Sequence, residues 1–398
     1  MKYILVIGDG MADAPIAALD NKTPLEYLNL PQFDRIAHTL GMAQTVPAGV
    51  APGSDTAILN IFSYDPRHYY TGRSSLEAAG MGVFLEKGQV SLRVNLCAVE
   101  NGVILSHNGG NIEGEEAIEL METLVSDPRF IAAAAPLQLH IHITPTFRHI
   151  GVFTCPDESA AFTLTPPHDV LGDPIEKHFP QGALSEELKN LMLISHEVLD
   201  QHPVNVRRRS EGKLPANMIW PWAEARAACL PSFTDKFGKT GAVISAVPLL
   251  HGIAGLAGLD VIMVEGANGD LDTNYEGKVA AAIDALRNHD FVCIHVEAPD
   301  EMSHAGSMEK KLKAIEYLDT RVIGPLLESV PGDYRLLLLS DHPTLLSTRT
   351  HDGHPVPFGI YDSRAAQKTA KFCEKTCAQG AFIDNGDKLM PLLFEKED

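Results

Sequence analysis

A chain of 398 residues has room for about two domains, and 45% apolar with 21% charged residues suits a globular enzyme. Its net charge of −20, from 52 acidic against 32 basic residues, excludes broad binding to nucleic-acid phosphates. A small anionic substrate stays open, because a metal ion or a few arginines reverse the potential locally. The six scattered cysteines form no CxxC pair and fit reduced thiols in a cytoplasmic protein. No apolar run of about 18 residues predicts a membrane span, and the apolar start at 3–7 is too short for a signal-peptide core.

Residues 3–7 predict a first strand that ends in Gly8-Asp9-Gly10, so Asp9 sits at a strand's carboxyl end, as a turn former or as a working carboxylate. A helix is predicted over 24–40 from Leu25, Leu28, Leu30, Phe33 and Ile36. The Gly/Pro-rich loop 46–53 then passes into a helix with Ala57, Ile58, Ile61 and Phe62 on one face. Ser54 stands at the join. It reads as an N-cap worth about 1 kcal/mol, or as a hydroxyl at an anion-favouring helix start; one residue can be both. Another turn-to-helix passage covers 70–80, where Arg73 is a phosphate contact or a helix-start ion pair.

The pattern changes at about 85. Strand 91–99, the turn Asn101-Gly102 and return strand 103–106 read as a hairpin, followed by His107 and a helix over 115–125. In strand 137–144, His140 and His142 share one face, which solvation explains more simply than a metal. Strand 147–153 carries Arg148-His149; a Pro-rich loop over 163–180 and a helix over 185–200 follow. The basic run Arg207-Arg208-Arg209 reads as a solvated face or an anion contact. Together these predict an inserted α+β domain over 85–235.

From 241 strands alternate with helices: strands at 242–247, 261–264, 291–296 and 336–339, helices at 249–258, 279–287 and 310–330. This predicts a doubly wound, mostly parallel α/β sheet formed by 1–84 with 236–398. Asp300 and His304 follow the 291–296 strand at helical i, i+4 spacing. The run 336–339 is apolar throughout, the mark of a strand buried on both faces. Asp341-His342 emerges at its end, and His351 lies in the Gly/Pro-rich segment beyond. Ligands in such sheets bind beyond the carboxyl ends of the strands. Carboxylates and imidazoles without thiolates suit Mn²⁺, Zn²⁺ or Mg²⁺, and a metal beside Ser54 would activate its hydroxyl for attack on phosphorus.

Strand-Gly8-Asp9-Gly10, Pro52-Gly53-Ser54-Asp55-Thr56, Asp300…His304, Ser340-Asp341-His342 and His351…Pro355-Val356-Pro357 occur in that order. The set resembles the alkaline phosphatase superfamily, and more closely the archaeal-type 2,3-bisphosphoglycerate-independent phosphoglycerate mutases. Tyr70 to Arg73, Leu76 to Gly80, Pro215-Ala216-Asn217 and Asp272 to Tyr275 with Lys278 extend the resemblance over nearly the whole chain.

The resemblance implies an alkaline-phosphatase-like catalytic domain with the insert as a substrate-binding cap that closes to exclude water. It implies two divalent metals, one on Asp9, Ser54, Asp341 and His342, the other on Asp300, His304 and His351, with His354 in reserve. No 2,3-bisphosphoglycerate cofactor is implied. Ser54 would carry the phosphoryl group between the 3- and 2-positions of phosphoglycerate in glycolysis. Lys278, Arg148 and Arg73 would meet the substrate and His107 would shuttle a proton. A small phosphorylated substrate is then the partner, and a homo-oligomer stays open. Trp222-Ala223-Glu224-Ala225 departs from the family's Trp-Gly-x-Gly, and Asn268 stands where a Thr is usual. These departures keep alive a phosphotransferase acting on another small acceptor such as homoserine, or a phosphatase.

Overall fold

The computed structural model describes residues 1–394, which form two compact units, 1–70 with 229–394 and 71–228. The first holds an eight-stranded sheet. Its order is Asp260–Ile262, Gly241–Ile244, Phe291–Val296, Lys2–Gly8, Tyr334–Leu339, Val356–Asp362, Thr39–Ala43, Ala381–Ile383. The first five strands are mutually parallel, and Val356–Asp362 runs antiparallel to both its neighbours. Ile4, Leu5, Val6 and Ile7 are all fully buried, as are Leu336 to Leu339. The central strands are therefore covered on both faces, as a parallel sheet requires.

Register places the chemistry. Ile7 lies opposite both His295 and Leu339, so Asp9, Glu297 and Asp341 leave the sheet at nearly the same level. Helices Pro248–Leu256, Tyr275–Ala285 and Met308–Tyr317 supply the crossovers.

The second unit has a five-stranded antiparallel sheet built on the long strand Gln89–Glu100, which pairs with Val103–Ser106, Arg148–Thr154 and Met218–Arg226; His140–His142 adds to Arg148–Thr154. Leu120, Leu124, Leu188 and Leu191 of helices Glu115–Ser126 and Ser185–Leu199 pack against Leu92, Leu96 and Phe153. Ala78 of helix Arg73–Gly80 packs on Ile150 and Val152. That contact draws 71–84 into this unit. Conversely, Phe233 stacks on Phe291 at 5.1 Å, which ties the chain after 228 to the first unit.

Several elements differ from the sequence pattern. The 24–40 helix is instead one turn, Pro24–Tyr27, a 3₁₀ turn Phe33–Arg35 and the strand Thr39–Ala43. Pro31 forbids a continuous helix, and Leu28 is already extended. The 137–144 strand shortens to His140–His142. Residues 310–330 are helical but pass through a π-type segment, Leu318–Ile323, just before Pro325, which has no N–H for an ordinary helical bond. Helix Pro203–Ser210 holds the basic run, whose arginines pair with Glu116, Glu100 and Asp200. Strand Met218–Arg226 tolerates Pro221 because it pairs on one side only, with Gln89–Glu100.

Ala223 in that strand has φ 52°, the left-handed region, where the pairing slips register. A Cβ there costs roughly 1 kcal/mol. Ala223→Gly is therefore expected to raise stability by up to about that amount, read as a higher denaturant midpoint with an unchanged slope.

Glu374 accepts a hydrogen bond from Thr23 Oγ1 at 2.6 Å. Burial pushes this carboxyl up to about 7. The stability it contributes is thus present in full below about 4.5 and lost as pH rises through about 7. Glu374→Gln should remove that component, on the order of 2 kcal/mol. Wild type and variant unfolded at pH 5 and pH 8 check it; parallel pH slopes would refute it.

No helix among the described residues is long and apolar enough to cross a membrane, and the six cysteines are free thiols.

Candidate active site

Beyond the strand ends, Asp9, Asp341 and His342 each offer a ligand atom within 4.8 Å of the others, and so do Asp300, His342 and His351. Gly10, at φ +59°, brings the first turn against Asp300: a Cβ there would lie 2.6 Å from its carboxylate. The Gly10 amide donates to Asp341 Oδ1 at 3.1 Å.

Ser54 is the first residue of helix Ser54–Ile61, and the N-cap is Gly53, so the serine side chain is not spent on capping. Its Oγ lies 3.1 Å from His342 Nε2 and 3.5 Å from Asp9 Oδ2. Asp300 Oδ2 is 3.1 Å from His304 Nε2, Asp300 Oδ1 is 3.5 Å from His351 Nε2, and the two imidazole Nε2 atoms are 2.9 Å apart. His304 Nδ1 donates to the Arg349 carbonyl at 2.9 Å, which turns Nε2 toward Asp300. Arg349 has φ 57° to present that carbonyl. His354 instead pairs with Asp352 and is exposed. His351 is therefore the histidine that faces the carboxylates.

The donor set fits a pair of divalent cations. Among the described residues Asp9 Oδ1 and Asp341 Oδ2 are buried without a hydrogen-bond partner, an arrangement that costs energy unless a cation sits against them. Burial, then the charges of Asp341 and Asp300, push Asp9 well above the carboxylate range. Burial would raise Asp300 too, but hydrogen bonds from His304 and His351 hold it far below. The hydrogen bond to Asp300 pushes His304 up to about 9, while burial keeps His342 below its ordinary value.

The sequence pattern did not single out His295 and Glu297, which lie directly behind Asp9. Their only signal is two polar side chains at alternate positions where the apolar strand Phe291–Val296 ends. Burial opposes the His295 charge, but Glu297 and Asp9 overcome it and lift the group to about 10. Burial would raise Glu297, yet His295 and Lys278 hold it low. Lys278, expected at the substrate, is fully buried, with its ammonium on Glu297 Oε2 at 2.7 Å and on the His295 carbonyl at 2.8 Å. It holds the carboxylate behind the site.

The family model for 2,3-bisphosphoglycerate-independent phosphoglycerate mutase matches residues 38–205. A probable mutase of that name from Geobacter sulfurreducens is 44% identical over the whole of both chains, and one from Methanosarcina acetivorans is 46% identical over 92% of each. The chain belongs to the 2,3-bisphosphoglycerate-independent phosphoglycerate mutase family. Among solved structures, a Pyrococcus horikoshii protein matches with a TM-score of 0.80 and 31% identity, covering 100% of this chain and 99% of its own. The cofactor-independent phosphoglycerate mutase of Thermoplasma acidophilum follows at 0.67 and 25%, covering 99% of each.

In the 71–228 unit of this mutase-family chain, three guanidinium groups surround one carboxylate. Arg93 and Arg73 both pair with Glu77. Arg93 lies 4.8 Å over the Trp222 ring, with Arg148 5.8 Å from it. Burial and the Arg93 charge lower Arg148 to about 10, and its Nε is buried with no hydrogen-bond partner among the described residues. His107 packs 6.0 Å from His168 and 6.2 Å from Phe147, and burial lowers it below its ordinary value. Sequence reasoning missed Arg93, one of several polar residues that alternate with apolar ones along strand Gln89–Glu100. The two departures from the family pattern have structural readings. Ala223 takes the left-handed backbone a glycine would adopt, and Asn268 Oδ1 accepts the Asp270 amide, closing its own turn.

Proposed function

We propose that the chain interconverts 3-phosphoglycerate and 2-phosphoglycerate, with Ser54 as the nucleophile. The observation that carries this is a serine hydroxyl outside any cap, within 3.5 Å of an aspartate and a histidine that can ligate metal. Asp9, Ser54, Asp341 and His342 would hold one divalent cation and Asp300, His304 and His351 the other, with Mn²⁺, Zn²⁺ or Mg²⁺ all compatible. Such cations, when bound, lower the serine pKa and offset phosphate charge.

Ser54 Oγ forms a bond to phosphorus as the bond to the substrate's 3-oxygen breaks, giving phosphoserine and glycerate. Glycerate reorients, its 2-hydroxyl attacks the same phosphorus, and Ser54 leaves. The proton of the 2-hydroxyl ends on the 3-oxygen, so none is gained or lost. Asp9 and His342 hold Oγ in line, and the amide-rich start of helix Ser54–Ile61 favours negative charge there. In the 71–228 unit, Arg73 and Arg148, with Arg93 beside them, would meet the negative charges of the substrate. His107, held neutral, is suited to pass the hydroxyl proton. We place the protein in the cytoplasm, where free thiols persist.

The direct test follows 3-phosphoglycerate turnover with and without chelator, beside phosphate release and phosphorylation of homoserine by a nucleotide. Mutase turnover exceeding the other two is the expected outcome. Homoserine turnover without mutase activity would establish the phosphotransferase, and dominant phosphate release the phosphatase.

A further inference from the structure

His295, Glu297 and Lys278 are at most 2% exposed and cannot touch a substrate. They nonetheless determine how Asp9 is presented. Asp9 Oδ2 accepts from His295 Nε2 at 3.1 Å, while Asp9 Oδ1 has no hydrogen-bond partner among the described residues and lies 3.7 Å from His342 Nε2. On the far side of the ring, Nδ1 meets Glu297 Oε1 at 3.1 Å. Glu297 is pinned in turn by Lys278 Nζ at 2.7 Å, Ser245 Oγ at 2.9 Å and the Ala246 amide at 2.8 Å. An imidazole with a carboxylate on each nitrogen cannot turn without losing a charged hydrogen bond in a medium where such losses are expensive. The other cluster is oriented differently, because His304 leans on a main-chain carbonyl and shares none of these groups.

We propose that His295, anchored by Glu297, is a positioning residue that holds Asp9 with Oδ1 free for a cation, and so sets the affinity of the ion on the Ser54 side without affecting the ion at Asp300, His304 and His351. This rests on the two-cation reading above. It gives a purpose to a buried carboxylate–imidazole–carboxylate chain that a purely apolar core would replace at no cost in stability. Outer partners of metal ligands act in this way by fixing the ligand's orientation and basicity.

The test is Mn²⁺ titration of the metal-free full chain, with free ion followed by electron paramagnetic resonance. Wild type should bind in two steps, and His304→Ala identifies the step belonging to the second cluster by weakening it. His295→Asn should weaken the other step by about 10–100-fold and leave the His304-dependent step unchanged. Equal weakening of both steps, or of neither, in a variant with a wild-type unfolding curve overturns the proposal. Should His295→Asn not fold, Ser245→Ala decides: a several-fold loss confined to the same step supports the proposal, and unchanged binding overturns it. Wild type taking up no Mn²⁺ would instead overturn the two-cation reading itself, a result distinct from two steps that both survive His295→Asn.

Discussion

Ser54→Ala is expected to abolish mutase turnover, a loss of roughly 10⁵–10⁶-fold, the size seen when an enzyme loses its nucleophile. No other hydroxyl lies against both Asp9 and His342 among the described contacts, so nothing can substitute for the bond Oγ makes to phosphorus. The substitution should cost little stability, because Gly53 and not Ser54 is the cap and the hydroxyl makes no contact that holds the helix. The sharper readout is covalent. Wild type incubated with 3-phosphoglycerate and quenched in acid should show one added phosphoryl group on the peptide containing Ser54, and the variant none. Substantial turnover by Ser54→Ala, or the phosphoryl group on another residue, would remove the serine from the mechanism.

Chelation is expected to have the second largest effect, reducing turnover to background and lowering the unfolding temperature. A cation that binds only the folded chain at a thousand times its Kd adds about 4 kcal/mol per site. Here it would also satisfy two buried carboxylate oxygens, Asp9 Oδ1 and Asp341 Oδ2, that have no hydrogen-bond partner among the described residues. Asp341→Asn keeps the shape and the Oδ1 acceptor for the Gly10 amide but removes the charge; Mn²⁺ affinity should fall by at least about 100-fold. The pH dependence has a definite sign. Carboxylates and imidazoles hold a cation only when deprotonated, and burial with two neighbouring carboxylates raises Asp9, so apparent affinity should weaken as pH falls. Affinity that is flat with pH, or an unfolding temperature indifferent to chelator, would contradict this account.

What the sequence could determine was the local chemistry and its order along the chain. The run Leu336 to Leu339 has one solution, a strand buried on both faces, and the polar residues after it must then emerge at its end. The same reasoning located Asp9, and helical spacing placed Asp300 with His304. Family motifs distinguished His351 from His354, and the fold separates them by pairing His354 with Asp352.

Other features were decided only by tertiary structure. Pro31 already breaks 24–40 locally, but that Thr39–Ala43 became a strand depended on finding Val356–Asp362 as a partner, a pairing that no local window contains. The second compact unit takes in 71–84, where Ala78 finds Ile150 and Val152, a contact that composition does not report. Lys278 reads from motif as a substrate contact, and only its burial beside Glu297 shows where its charge is held. His295 is one polar residue in an apolar strand, and its place became visible only when parallel register set it opposite Ile7, beside Asp9. Periodicity and motif report which faces are apolar and which residue types carry chemistry; which buried charge meets which is a matter of long-range pairing, and only the folded chain resolves it.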